Sequence, residues 1–382
     1  MKVLIAIDSF KGSLSSLEAG TAAAEGIRRV YPESECEVLT VADGGEGTVE
    51  ALMSALGAER VTAEASDPLG RRISCSYGIT REGTALMEMS SAAGITLLKK
   101  EELNPLLTTT YGVGEMILDA LGRGCRSFII GIGGSATNDG GAGMLQALGF
   151  ALLDKSGRDI PLGAQGLSLL DRISDEGVRT ELHGCSFRIA CDVTNPLCGE
   201  NGCSAVFGPQ KGATAESVKE MDSYLLRLAE KAKIIRPLSD QTFPGSGAAG
   251  GLGFAFRTFL GGELLSGIEL ILDEIHIEDK IRSSDIVITG EGRIDSQTVM
   301  GKAPGGVAMK AKKHGKPVIA FSGAVTKDAV YCNGKGIDAF FPIVRGVTTL
   351  EEAMNKSTSS ANMADTAEQV FRVIRCMNGQ EI

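Results

Sequence analysis

The chain reads as an α/β protein of two domains, and three observations carry that reading. Short, continuously apolar runs suited to strands buried on both faces stand near both ends, beginning at residues 3, 37, 286, 318 and 339. Each is followed by small-residue loops and a helical pattern, and the 50 glycines in 382 residues are nearly double the usual ~7%. Between about residues 66 and 284 the texture changes to hairpin signals and longer amphipathic segments, and the length itself exceeds what one core ordinarily organises.

Taken in order, residues 3–7 form a first strand. Ser15 and Glu18 have capping-box spacing at the start of a helix whose apolar stripe is Leu14, Leu17, Ile27 and Val30, and Pro32 stops it. Residues 37–41 give a second strand, leading into the loop ADGGEGT and another helix. The stretch 66–90 reads as a hairpin, with DPLGRR and REG as turns and ISCSYGI and TALMEM as strands. A helix over 115–122, a strand over 127–132, a glycine loop and a helix over 142–148 follow, then a strand over 187–190. Met221, Leu225, Leu228 and Ala232 share one side of a helix over 214–233. Strand and helix alternation resumes with strands at 286–289, 318–321 and 339–344 and helices at 304–313 and 361–376.

Five buried strands from the two ends are the number that a flavodoxin-like doubly wound parallel sheet needs. The expectation is a discontinuous domain of residues 1–65 and 285–382, interrupted by an inserted α/β domain over 66–284. Ligands of such sheets bind beyond the carboxyl ends of the strands, where DSFKGS, ADGGEGT, TGEGRIDS and FSG fall, and a cleft between the domains would face them.

Composition narrows the function. The net charge is -10 and lysines and arginines are scattered, which argues against a nucleic-acid surface. Nine cysteines form no C-x-x-C pair and histidines are few, so a zinc site is not expected and reduced, cytoplasmic thiols are. Residues 1–10 read as a strand interrupted by Asp8 rather than as a signal peptide, and no stretch approaches a membrane span.

The chemistry lies in the loops. Residues 43–47 and 139–143 share D-G-G-x-G, both after an apolar strand and before a helix ending in Ala-Leu-Gly. Helix N-termini offer free N–H groups, so two such loops suit two anion cradles, with Gly44 and Gly45 in one and Gly133, Gly134, Ser135, Thr137, Asn138 and Gly140 in the other. The alternative is that the glycines only let helix pack on strand. GSGAAG at 245–250 matches a dinucleotide fingerprint as a string, but no strand precedes it, and no Gly-Lys pair is followed by Ser or Thr as a P-loop requires. Lys11, Lys211, Arg293 and Lys302 are cations in small-residue surroundings, and Asp8, Asp43, Glu46, Asp139, Asp192, Glu291 and Asp295 are acids in the same loops. Phosphoryl transfer needs that mixture of cations, carboxylates for Mg²⁺ and one base. Asp192 and Asn195 stand at the end of an apolar strand, where catalytic groups are commonly carried.

DSFKGSLS (8–15), ADGGEGT (42–48), GIGGSATNDGGAGMLQALG (131–149), ACDVTNPLCGENG (190–202), VFGPQKGA (206–213), PGSGAAGGLGF (244–254) and ITGEGRIDSQTVMGKAPGGVA (288–308) together resemble the motif series of the type-1 glycerate kinases. The match runs from Met1 to about Gly346. The resemblance implies ATP-dependent phosphorylation of D-glycerate to 2-phosphoglycerate, a flavodoxin-like domain and an inserted domain of restriction-endonuclease-like type. On the matching positions, Asp192 is the expected base and Lys11 with Lys211 the cations on the transferring group. Arg293, Asn195, Ser296 and Ser9 are expected to bind glycerate, Lys302 the phosphates, and Asp43 and Asp295 the Mg²⁺. A nicotinamide-dependent hydroxy-acid dehydrogenase and a non-catalytic anion-binding protein remain the other readings.

Overall fold

The structure, a computed structural model, describes residues 1–41 and 48–379. Among the described residues there are thirteen strands: β1 (Lys2–Ile7), β2 (Glu35–Thr40), β3 (Glu59–Ser66), β4 (Arg72–Ile79), β5 (Thr84–Glu88), β6 (Ser127–Gly131), β7 (Ala151–Leu153), β8 (Arg172–Ser174), β9 (Ser186–Ala190), β10 (Glu263–Leu265), β11 (Ile286–Ile294), β12 (Val318–Val325) and β13 (Ala339–Pro342). The chain divides into two compact units, Met1–Ala51 with Ile268–Ile382, and Leu52–Gly267.

The first unit holds a five-stranded sheet in the order β13-β12-β11-β1-β2, with every pairing parallel. Numbered along the sheet's own strands this is 2-1-3-4-5, the flavodoxin-like order. The apolar run of β1 lies in the middle of the sheet, with Val3 to Ile7 fully buried, because both faces are covered. Val3, Ile5 and Ile7 share a core with the helices Ser16–Val30 and Lys356–Met377, while helix Ala303–Lys313 packs on β11 and β1.

The capping box predicted at Ser15 forms: the Glu18 N–H donates to the Ser15 hydroxyl, and the Ser15 N–H to the Glu18 carboxylate. Leu17, expected on the buried stripe, is 57% exposed. The buried face of that helix is built instead from Ala19, Ala22, Ala23, Ala24 and Ile27, small residues that let the Lys356–Met377 helix approach closely. At Gly26 a Cβ would stand 2.0 Å from the Ala364 carbonyl oxygen. Glycine to alanine inside a helix ordinarily stabilises. Here Gly26→Ala is expected to destabilise by roughly 1–3 kcal/mol through overpacking, read as a lower Tm in thermal unfolding.

β11 runs beyond the predicted 286–289 to Ile294, since its pairing with β12 continues through Glu291–Ser322 and Arg293–Ala324. Gly290 serves that approach: a Cβ on it would lie 2.1 Å from the Phe321 carbonyl oxygen. TGEGR is therefore strand, not loop.

The second unit holds a six-stranded sheet ordered β10-β9-β6-β5-β4-β3. β3, which precedes residue 66, pairs antiparallel with β4 along its whole length, and β5, β6, β9 and β10 continue in parallel. Phe128 and Phe187, adjacent on β6 and β9, stack with ring centroids 4.8 Å apart. The helix Ala215–Ile235 buries Met221, Leu225, Leu228 and Ala232, the side its spacing predicts.

Candidate functional site

In the first unit, a pocket of about 440 Å³ opens at the carboxyl ends of β1, β11 and β12, where an open parallel sheet places its ligands. The turn after β1 supplies Asp8, Ser9 and Lys11, the end of β11 supplies Glu291, Arg293 and Asp295, and Lys302 comes from the start of helix Ala303–Lys313. Five expected site residues, Ser9, Lys11, Arg293, Asp295 and Lys302, thus share one pocket. Ser296 is not part of the lining; its N–H donates to the Asp328 carboxylate at 3.1 Å.

Each charged group is held by its neighbours. Asp8 is buried and accepts the Ser9 N–H at 2.6 Å. Asp295 caps the 3₁₀ turn Ser296–Val299 by accepting the Gln297 N–H at 2.9 Å, and its other oxygen lies 3.7 Å from Arg293 Nε. Arg293 keeps 66% of its side chain exposed, so most of its fork faces solvent. Glu291 is buried, accepts the Thr298 hydroxyl at 2.6 Å and lies 3.5 Å from Lys302 Nζ. Burial pushes the Glu291 carboxyl above its ordinary range, and Thr298 and Lys302 oppose that shift.

In the second unit, the loop after β6 carries the other expected phosphate cradle. Gly133 is exposed with no atom within 4 Å of a Cβ built on it, and Gly134 takes a positive φ of 69°. Beyond Ser135 the loop is packed. Asp139, fully buried, accepts from Thr110 N and Oγ1 at 2.9 Å each, from Gly143 N at 3.1 Å, from Gly141 N at 3.2 Å and from Thr109 Oγ1 at 3.4 Å. The N–H groups at the start of helix Ala142–Ala147 therefore already face a carboxyl group of the chain itself. Asn138 donates to Ser204 Oγ at 2.8 Å, Gly140 donates to the Gly250 carbonyl at 2.9 Å, and a Cβ on Gly140 would strike Leu228 at 2.4 Å. Thr137 and Asn138 are wholly buried, and with Gly140 they present no open face to an anion.

Lys211 anchors this loop. It is 1% exposed, and its ammonium donates to Ser135 Oγ at 2.7 Å and to the Thr137 carbonyl at 2.6 Å. Burial lowers its pKa from 10.5 to about 8. A lysine with a depressed folded value contributes stability that is present above 10.5 and is lost as pH falls through about 8. The stability of the native chain relative to Lys211→Met is thus expected to rise across that window. Denaturant unfolding of both proteins on either side of it checks the sign.

Asp192 follows β9, is exposed, and accepts the Gly267 N–H at 2.8 Å. Asn195 donates to the Asn201 carbonyl at 2.9 Å, which fixes the loop it sits in. The glycines of GSGAAG are closed by backbone rather than open to a pyrophosphate: a Cβ on Gly247 would meet the Pro196 carbonyl oxygen at 2.2 Å, and one on Gly250 the Thr137 carbonyl oxygen at 2.1 Å. Asp43, Gly44 and Gly45 lie outside the described residues. Among the described residues no cluster of three or more His, Cys, Asp or Glu is arranged to hold a metal ion.

Two contributions were not legible from the motifs. Thr109 and Thr110, which satisfy Asp139, sit in the run Thr108-Thr109-Thr110, all buried, and three adjacent polar residues beside an apolar helix are a usable signal for such a partner. Leu350 and Met354 line the first unit's pocket from a segment with no motif.

The model of the glycerate kinase family matches residues 3–375. The chain is 48% identical over 373 residues to the Glycerate 2-kinase of Escherichia coli strain K12, covering 96% of this chain and 98% of that one. It is 46% identical over 376 residues to the Glycerate kinase of Bacillus subtilis strain 168, covering 98% of both. A crystal structure of a protein from Salmonella typhimurium LT2 that carries the name glycerate kinase 2 aligns with a TM-score of 0.88 at 44% identity, over 99% of each chain.

Proposed function

The chain belongs to the glycerate kinase family and phosphorylates glycerate, and from that premise we propose that ATP is the donor and that 2-phosphoglycerate and ADP are the products. The observation that supports this reading best is the pocket of the first unit, where Lys11, Arg293 and Lys302 meet Asp8, Glu291 and Asp295 at the carboxyl edge of a parallel sheet.

The residues take distinct roles in this account. Lys11 stabilises the charge that builds on the transferring phosphoryl group, as a cation set beside a developing anion does. Lys302, held near Glu291, binds phosphate oxygens. Arg293, with its exposed planar fork, grips the glycerate carboxylate, and Ser9 supplies a hydroxyl donor. In the second unit, Asp192 accepts the proton of the 2-hydroxyl, and Asn195 holds the loop beside it. Gly133, Gly134 and Ser135 are the cradle positions that keep a phosphate-binding role. Lys211 acts as a positioning residue through the loop it anchors, since its ammonium is engaged by Ser135 and Thr137.

Mg²⁺ bound with a nucleotide takes most of its ligands from phosphates and water and needs one or two protein carboxylates. The donor set at the pocket, Asp8 and Asp295 with Glu291 behind them, is all hard oxygen and fits that requirement; Asp295 would be the protein ligand. When bound, the ion neutralises phosphate charge.

The test is release of ADP from ATP by the purified chain. Release that depends on D-glycerate supports the proposal; release at the same rate without glycerate, or none with it, contradicts it.

A further inference from the structure

The roles above use only the polar and charged residues of the first unit's pocket. The lining also has an apolar wall, made by the exposed Leu350 and Met354 with the buried Phe10 and Ile343. Leu350 is 75% exposed and Met354 36%, although both stand at a binding pocket. A volume of about 440 Å³ is of the size that holds drug-sized ligands and far exceeds what a three-carbon acid fills. Such an acid also has no apolar surface to cover that wall.

Asn362 lines the same pocket from helix Lys356–Met377. Among the described residues its side-chain amide has no hydrogen-bond partner, so a donor and an acceptor stand side by side in the pocket lining. The neighbouring hydroxyls are already engaged: Ser13 donates to Ser359 at 2.6 Å, and Ser359 to the Ala353 carbonyl at 2.7 Å. A purine face suits the apolar wall. The amide of an asparagine pairs in two-point fashion with the N6 donor and N7 acceptor of adenine, whereas guanine offers two acceptors on that edge.

We propose that the apolar wall of the pocket is the adenine subsite of the donor nucleotide, with the base against Leu350 and Met354 and with Asn362 as the residue that selects adenine. This rests on the reading that ATP is the donor. It places the base in the first unit, with the phosphates directed to Lys11 and Lys302 of the same pocket.

Two variants test it, each followed by calorimetric titration with ADP and by kinetics with ATP and GTP. Asn362→Leu removes the amide at nearly constant volume and is expected to weaken ADP binding roughly tenfold, to raise the KM for ATP by a similar factor and to collapse the preference for ATP over GTP. Met354→Glu puts a carboxylate on the apolar wall and is expected to weaken ADP by at least about tenfold. In both, the KM for glycerate stays put. If Asn362→Leu fails to fold, Met354→Glu carries the test by itself. Folded variants that bind ADP as the native chain does, or that lose glycerate rather than ADP, overturn the subsite while leaving ATP as the donor. A native chain that neither binds ADP nor uses ATP overturns the donor assignment, and the subsite with it.

Discussion

Asp192→Asn is expected to lower kcat by roughly 10² to 10⁴, the usual contribution of general acid–base catalysis. The substitution removes the proton-accepting charge and keeps an oxygen in place. Oδ1 of an asparagine can still receive the Gly267 N–H that Asp192 accepts at 2.8 Å, so the loop keeps its anchor. The loss should therefore fall on kcat with the thermal unfolding curve unchanged. Steady-state kinetics beside a melting curve separates the two effects, and near-native turnover would remove Asp192 from the role of base.

Lys11→Met is expected to cost roughly 10² to 10³ in kcat, comparable to removing one preorganised donor from a developing anion. Methionine approximates the stem of lysine, and Lys11 is exposed on the turn after β1, so the substitution opens no cavity in the core. Because the cation is assigned to charge that grows in the transition state, kcat and kcat/KM should fall together. A variant that loses only affinity, with kcat kept, would mark Lys11 as a ground-state contact instead. Addition of salt should not rescue it, since the loss lies inside the pocket rather than in long-range attraction.

The parts of the architecture that the sequence discloses are those where one physical constraint acts alone. The central strand of the first unit is apolar at every position from Val3 to Ile7 because both faces are covered, and that run is readable without knowing its neighbours. The Ser15 capping box is likewise local. Leu17 misleads because a helix pressed against another helix buries alanine and glycine, and Gly26 against Ala364 is a tertiary fact. The extension of β11 is hidden for the same reason: Gly290 looks like a loop residue until Phe321 is placed beside it.

The site divides in the same way. DSFKGS and EGRID bring Lys11 and Arg293 to one pocket, as strand ends of a doubly wound sheet should. The loop 139–143 shows where a motif runs out. An Asp followed by two glycines before a helix looks like an empty anion cradle, yet Asp139 is the anion-side group that occupies it, with Thr109 and Thr110 completing its partners from thirty residues away in sequence. The apolar wall of Leu350 and Met354 comes from a segment where neither periodicity nor motif points to a ligand.

The central claim is transfer of a phosphoryl group from ATP to the 2-hydroxyl of glycerate, and proton-coupled phosphorus NMR of the reaction mixture tests it most directly. A phosphate on carbon 2 couples to a single proton and gives a doublet, whereas one on carbon 3 couples to two and gives a triplet. The account predicts a new doublet that grows in step with ADP; a triplet, or no ester signal at all, would contradict it.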